Sequence, residues 1–263
     1  MPKVLGIDLY SRDIESFILQ NITATSASQD GLKYNKCVSA TGAHGLVQSK
    51  RDIIFGQILS SFFCNLPDGM PAVWIGRLKG AKTMRRCYGP DFFKKSIIAT
   101  KDTTIRHYFC GGKRGIAEEL REVCNGDFGN HNIAGVYSPP FRELSDTEMK
   151  GLADEINVLR TDIVWIGLST PKQEIFAHRL ARFTNVHFIC TVGAAFDFHT
   201  KRLKQAPKAL QALGLEWLFR FLMEPKRLWK RYAKIVPLFM WYNLLELING
   251  RFFKNQGEGS YVK

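Results

Sequence analysis

Residues 163–174 read Ile163-Val164-Trp165-Ile166-Gly167-Leu168-Ser169-Thr170-Pro171-Lys172-Gln173-Glu174. An apolar run stops at a glycine, Ser169 or Thr170 offers an N-cap hydroxyl, and Pro171 opens a helix-period stretch that continues to Phe183. The same strand-to-helix device recurs on both sides of it. Val4 to Leu9, Lys36 to Ser39, Phe62 to Leu66, His107 to Cys110, Ile133 to Val136, Ile163 to Ile166 and His187 to Val192 read as strands. Ser11 to Gln20, His44 to Ser60, Asp91 to Thr100, Lys113 to Cys124, Ser145 to Leu159 and Pro171 to Phe183 read as helices between them. That alternation predicts an α/β domain, Rossmann-like, with a largely parallel sheet flanked by helices. In such sheets ligands bind beyond the carboxyl ends of the strands, so the residues just after each strand are the ones that carry chemistry.

Four junctions stand out. Pro67-Asp68-Gly69-Met70-Pro71 places a carboxylate after a strand; Asp68 is either a general base toward a hydroxyl or half of an ordinary Asp-Gly turn. Gly111-Gly112-Lys113-Arg114-Gly115 joins a strand to a helix. Backbone amides and the helix dipole make such a junction a phosphate cradle, or it is a plain structural turn. Its spacing is neither G-x-G-x-x-G nor a Walker motif. Pro171-Lys172-Gln173-Glu174 and Thr191-Val192-Gly193-Ala194-Ala195-Phe196-Asp197 are the other two. Their convergence on one sheet edge argues for a shared crevice. Of the six histidines only His44 follows a strand closely enough to reach it.

The chain has 263 residues, 45% of them apolar and 12% aromatic, which fits an ordered domain able to bury about three quarters of its unfolded surface. The formal net charge of +13 is the outlier and calls for an anionic partner. From Lys201 to Lys263 there are 13 Lys and Arg against 4 Asp and Glu, with 11 of the 32 aromatic residues. The chain therefore divides at about residue 200, into an α/β domain over 1–200 and a basic helical appendage over 201–263. Within the appendage Arg220, Lys226, Arg227, Lys230, Arg231 and Lys234 alternate with Trp217, Phe219, Phe221, Trp229 and Tyr232, as in a helix at an anionic membrane surface; the bland reading is a solvated face packed on the core. No RNP, helix-turn-helix or zinc-finger context supports a nucleic-acid partner.

The six cysteines show no CxxC, and several lie in apolar strands, so reduced, buried thiols and a cytoplasmic setting are expected. The first residues lack the apolar core of a signal peptide, and Ile235 to Ile248 is interrupted by Pro237, Asn243 and Glu246, too broken to span a membrane. Gly-x-Ser-x-Gly, His-Glu-x-x-His and Asp-x-Asp are all missing. The last omission excludes a glycosyltransferase that chelates its metal through Asp-x-Asp.

Taken in order along nearly the whole chain, Pro67-Asp68-Gly69-Met70, Arg86-Cys87-Tyr88-Gly89-Pro90-Asp91, Gly111-Gly112, Pro171-Lys172-Gln173-Glu174, Val192-Gly193-Ala194-Ala195-Phe196-Asp197, Ala206-Pro207, Gly214-Leu215-Glu216-Trp217-Leu218-Phe219-Arg220 and Glu224-Pro225-Lys226-Arg227 resemble the WecG/TagA/CpsF family of bacterial glycosyltransferases. The resemblance implies a metal-independent, inverting transfer of a hexose from a UDP-sugar to a polyprenyl-diphosphate-linked saccharide. It places the enzyme peripherally on the inner face of the cytoplasmic membrane, in wall, capsule or exopolysaccharide assembly, with no cofactor and with self-association left open. It makes Asp68 the base and Gln173 a donor contact, lays Gly111, Gly112 and Gly193 along the nucleotide, and gives Arg86 to the diphosphate with Arg220 and Arg227 closing over it. A departing UDP without a metal needs cationic stabilisation in any case. Where members that use N-acetylmannosamine typically carry Thr-x-Asn, this chain has Ser39-Ala40-Thr41-Gly42-Ala43-His44, so glucose, glucuronate or another hexose is expected, with Thr41 and His44 as sugar contacts. The competing readings are a nucleotide-binding α/β enzyme of another kind and a non-catalytic peripheral membrane protein.

Overall fold

The computed structural model describes residues 1–27 and 34–257. A hairpin of β1 (Lys3–Val4) and β2 (Ile7–Asp8) opens the chain, followed by α1 (Ile14–Phe17), which widens into a π turn over Ile18–Ile22. Then come β3 (Lys36–Thr41), α2 (Ala43–Arg51), α3 (Ile53–Ser61), β4 (Cys64–Pro67), α4 (Met70–Leu78), α5 (Gly89–Ala99), β5 (His107–Gly111), α6 (Ile116–Gly126), β6 (Ile133–Tyr137), α7 (Asp146–Val158), β7 (Ile163–Gly167), α8 (Lys172–Leu180), β8 (Phe188–Thr191) and α9 (Ala195–His199). The appendage is α10 (Lys208–Ala212), α11 (Glu216–Met223) and α12 (Pro225–Gly257); the last residues of the basic tail lie outside the described residues.

Six strands form one parallel sheet in the order β4-β3-β8-β7-β5-β6. Side chains alternate between its faces. Val164 and Ile166 join one core with Leu46, Leu59 and Leu152, while Ile163 and Trp165 join the other with Phe92, Phe93 and Leu120. Both faces are covered by helices, which is why the strands are continuously apolar rather than alternating. The fold is thus the expected Rossmann-like α/β sheet. All six cysteines are buried free thiols. Among the described residues no helix is long and apolar enough to cross a membrane.

Several elements differ from the sequence reading. Val4 to Leu9 is not one strand, because Leu5 and Gly6 take φ of 51° and 84° and fold the run back into an antiparallel hairpin. The helix expected over His44 to Ser60 breaks at Asp52, whose extended backbone ends α2 and whose carboxylate accepts from the Phe55 N–H at 3.0 Å to start α3. Pro171, rather than Ser169 or Thr170, caps α8. Helix α4 was not foreseen after Asp68, although Pro71 in its first turn is a start signal. By contrast α7 begins as its sequence dictates, with Ser145 and Glu148 closing a reciprocal capping box.

The appendage returns to the beginning of the chain. Helix α12 packs on α2, and Glu246 accepts from the Leu5 N–H at 3.0 Å and pairs with Lys79 at 2.7 Å. Leu228, Ile235 and Phe239 on its inner side are buried.

Candidate active site

The carboxyl ends of β3, β4, β5, β7 and β8 open into a single cleft of about 1500 Å³, roofed by α11 and α12. Asp68, His44, Arg86, Gly112, Gly193, Arg220 and Arg227 all line it. The strand ends are held level by backbone bonds that extend the sheet, Asp68 N–H to Thr41 carbonyl at 3.1 Å and Cys87 N–H to Pro67 carbonyl at 2.8 Å.

Asp68 is half-buried, and its Oδ1 accepts from the Gly89 N–H at 2.7 Å. Arg86 braces the same residue from behind: its Nε donates to the Asp68 carbonyl at 2.6 Å, its Nη2 to Glu216 Oε2 at 2.7 Å, and its guanidinium stacks on Tyr88 at 4.1 Å. Glu216 is only 6% exposed, so this ion pair ties the first turn of α11 to the base of the cleft. Burial lifts the Asp68 carboxyl above the usual carboxylate range. Arg86, the Gly89 N–H and Arg220 pull it back, and Glu216 pushes it further up.

The roof is cationic. Arg220 stacks on Phe198 at 5.4 Å, Arg227 pairs with Glu224 at 2.9 Å, and half-buried Arg231 also lines the cleft. Burial lowers the Arg231 pKa, and the neighbouring Arg227 and Arg220 lower it further, against the opposing pull of Tyr232 and Glu224. Among the described residues neither Arg220 nor Arg231 has a carboxylate within ion-pair distance. His44 faces Arg231. Burial, then that charge, depress its pKa to about 4, so near neutrality it is an uncharged donor and acceptor.

Three of the residues singled out in the sequence sit behind the wall. Gln173 is 1% exposed; its Oε1 accepts from the Gly193 N–H at 3.0 Å and its Nε2 donates to Glu174 Oε1 at 2.8 Å. It therefore holds the β8–α9 loop, and its amide is already spent on protein groups. Buried Thr41 donates to Ser39 Oγ at 2.9 Å, one layer below the surface. Gly111, at φ 152°, packs against β7, where an added Cβ would come within 2.5 Å of the Gly167 carbonyl oxygen, whereas Gly112 reaches the cleft.

Glu216 and Glu174 were given no role by the sequence, and Arg231 only a place in the basic, membrane-facing series. The first two stand in the quoted Gly-Leu-Glu-Trp and Pro-Lys-Gln-Glu blocks, where spacing could not say what they touch. Glu174 is buried, accepts from Ser39, Thr170 and Gln173 through Oε1, and has no hydrogen-bond partner for Oε2. Burial raises its pKa, against the pull of those donors. Among the described residues no three His, Cys, Asp or Glu side chains converge in a way that could hold a metal ion.

Comparison with known proteins points to one family. Residues 2–252 match the model of the glycosyl transferase WecG/TagA/CpsF family. An N-acetylglucosaminyldiphosphoundecaprenol N-acetyl-beta-D-mannosaminyltransferase of Bacillus spizizenii is 30% identical over 178 residues, 68% of this chain and 67% of that protein. The enzyme of the same name from Bacillus subtilis strain 168 is 28% identical over 213 residues, 81% of this chain and 80% of that protein. With a parallel sheet whose strand ends carry the motifs and a match over nearly its full length, the chain belongs to the WecG/TagA/CpsF family of glycosyltransferases.

Proposed function

We propose that this enzyme transfers a hexose from a UDP-sugar to a saccharide linked to polyprenyl diphosphate, inverting the anomeric centre without a metal, during wall-polymer, capsule or exopolysaccharide assembly at the inner face of the cytoplasmic membrane. The observation that carries the reading is that one cleft presents an anchored carboxylate, Asp68, beneath a cluster of arginines from the appendage. The names of the two Bacillus relatives specify a diphosphoundecaprenol acceptor, which supports the acceptor class; the group those enzymes transfer, N-acetylmannosaminyl, differs from the glucose or glucuronate expected here.

In this mechanism Asp68 takes the proton of the acceptor hydroxyl as its oxygen attacks the anomeric carbon. The new C–O bond forms on the face opposite the phosphate, the bond from the anomeric carbon to the phosphate oxygen breaks, and UDP departs with its electron pair. Arg220, Arg227 and Arg231 stabilise the charge that develops on the diphosphate. Arg86, with Nε and Nη2 already engaged, acts first as the brace of Asp68. Gly112 and Gly193 let the nucleotide approach the backbone. Neutral His44 meets sugar hydroxyls, and Thr41 and Gln173 support the wall from behind. Residues 201–263 dock the enzyme on the anionic membrane that holds the acceptor.

Release of UDP from a panel of UDP-hexoses, measured with and without a polyprenyl-diphosphate monosaccharide and in EDTA, tests the reading. Acceptor-dependent release that EDTA leaves unchanged is expected. Release abolished by EDTA would remove the metal-independent mechanism, and no turnover with any donor would remove the reaction.

A further inference from the structure

Glu174 is the one acid of the cleft wall that the proposed chemistry leaves idle. It lies in the first turn of α8, is 1% exposed, and sits beneath the strand ends, whereas Ala177 and Leu180 further along the helix pack into the apolar core. A glutamate that served only the helix N-terminus could stay in water, as exposed Glu148 does in the capping box of α7. A well-packed apolar side chain in its place would carry no desolvation cost, so stability alone does not account for a carboxyl there. Glu174 instead gathers hydrogen bonds onto one oxygen. Its Oε1 accepts from Gln173 Nε2 at 2.8 Å, from Thr170 Oγ at 3.0 Å and from Ser39 Oγ at 3.3 Å, and Thr41 Oγ donates in turn to Ser39 Oγ at 2.9 Å.

Gln173 carries this constraint to the cleft. Its Nε2 faces Glu174 Oε1 and, at 3.3 Å, Thr170 Oγ, so its Oε1 is turned to the Gly193 N–H at 3.0 Å. Rotated by half a turn, the amide would set its own N–H groups against that N–H, donor against donor. Gly193 takes φ of 59°, and an added Cβ would meet open space, so its backbone is bare where it lines the cleft. Val192, one residue earlier, is still fixed by the sheet, its N–H on the Ile166 carbonyl at 3.0 Å. Beyond that point the Gln173 amide decides where the chain goes. We infer that Glu174 is a positioning residue for the donor: by accepting from Gln173 it fixes that amide with its oxygen toward the Gly193 N–H, and so holds the β8–α9 turn in the shape that receives the nucleotide. This inference rests on the proposed nucleotide site at Gly193 and adds the group that shapes it.

Two measurements on the full chain test it: hydrogen exchange at the Gly193 amide without ligand, and calorimetric titration with UDP. Glu174→Met should speed Gly193 exchange and weaken UDP binding, each at least about tenfold, as loss of a hydrogen bond that orders a turn requires. Glu174→Gln, whose amide offers a carbonyl oxygen in place of Oε1, should restore both. Because Glu174 acts through Gln173, the Gln173→Met Glu174→Met double variant should bind UDP no more weakly than Gln173→Met alone. Unchanged protection of the Tyr108 to Cys110 amides of β5, hydrogen-bonded between β6 and β7, reports that a variant is folded. If Glu174→Met loses that protection, Glu174→Asp, whose carboxyl is withdrawn by one methylene, takes its place with the same expectations. Normal Gly193 exchange in the Met or Asp variant, a Glu174→Gln as weak as Glu174→Met, or additive losses in the double variant would overturn the inference. Failure of UDP to bind the unaltered protein would instead remove the nucleotide reading, and the donor role with it.

Discussion

Asp68 is held by two kinds of force that work against each other. Burial favours its neutral acid, while Arg86 and the Gly89 N–H favour the carboxylate that a general base must be, and burial prevails. The acid limb of kcat/KM should therefore fall above the usual carboxylate range, with activity lost as pH drops through it; a pH–rate profile with its lower limb near pH 4 would contradict this. Glu174 illustrates the same effect where no chemistry is asked of it. Its folded-state pKa lies above the ordinary 4.5, so folding favours its protonated form. That contribution is complete below the unfolded pKa and is lost as pH rises through the folded one. Glu174→Gln keeps an acceptor for Ser39 and Thr170 but cannot ionise, so its stability relative to the unaltered protein should improve between pH 4.5 and pH 8, by chemical denaturation at both ends. A difference that does not change with pH would mean that Glu174 has no raised pKa.

At the scale of elements, the contact that matters most is the Arg86–Glu216 pair, which joins α11 to the loop bearing Asp68. Removing one partner of a buried pair leaves the other desolvated and alone, a loss of about 3 kcal/mol. Glu216→Ala should lower the melting temperature and also kcat, because Arg86 loses the contact that aims it, while KM for the donor changes little; a variant of normal kcat would show that α11 only covers the site. Strand ends and their following glycines or acids were legible in the sequence because a parallel strand buried on both faces reads as an uninterrupted apolar run. The hairpin at Leu5-Gly6 and the break at Asp52 were not, since both turn on one residue's backbone angles inside an otherwise regular pattern. The site divided in the same way. Asp68, His44, Gly112 and Gly193 were placed by position after a strand, but whether Gln173 and Thr41 face the cleft or its supporting layer depends on packing that spacing does not encode.

For the molecule as a whole, charge and aromatic surface concentrate on the appendage that also roofs the cleft, so on the proposed reading one element would both dock on an anionic membrane and complete the site. Lys226 and Lys230 are exposed on α12 beside exposed Trp229. Reversing both to Glu should weaken binding to anionic vesicles roughly thirtyfold or more, from about 1 kcal/mol per basic residue at the surface, and leave the melting temperature unchanged. Added salt should weaken the unaltered protein only in part, because the tryptophans contribute an unscreened apolar share. Vesicle pelleting undiminished by the double reversal would move the docking surface elsewhere. On the proposed reading the cleft is built around one base. That reading is tested most directly by the rate of acceptor-dependent UDP release at saturating donor and acceptor, comparing the unaltered enzyme with Asp68→Asn, whose amide retains an oxygen to accept from the Gly89 N–H. A fall of at least about a hundredfold with donor binding retained is expected; a variant that turns over at the normal rate would mean that another group takes the acceptor's proton.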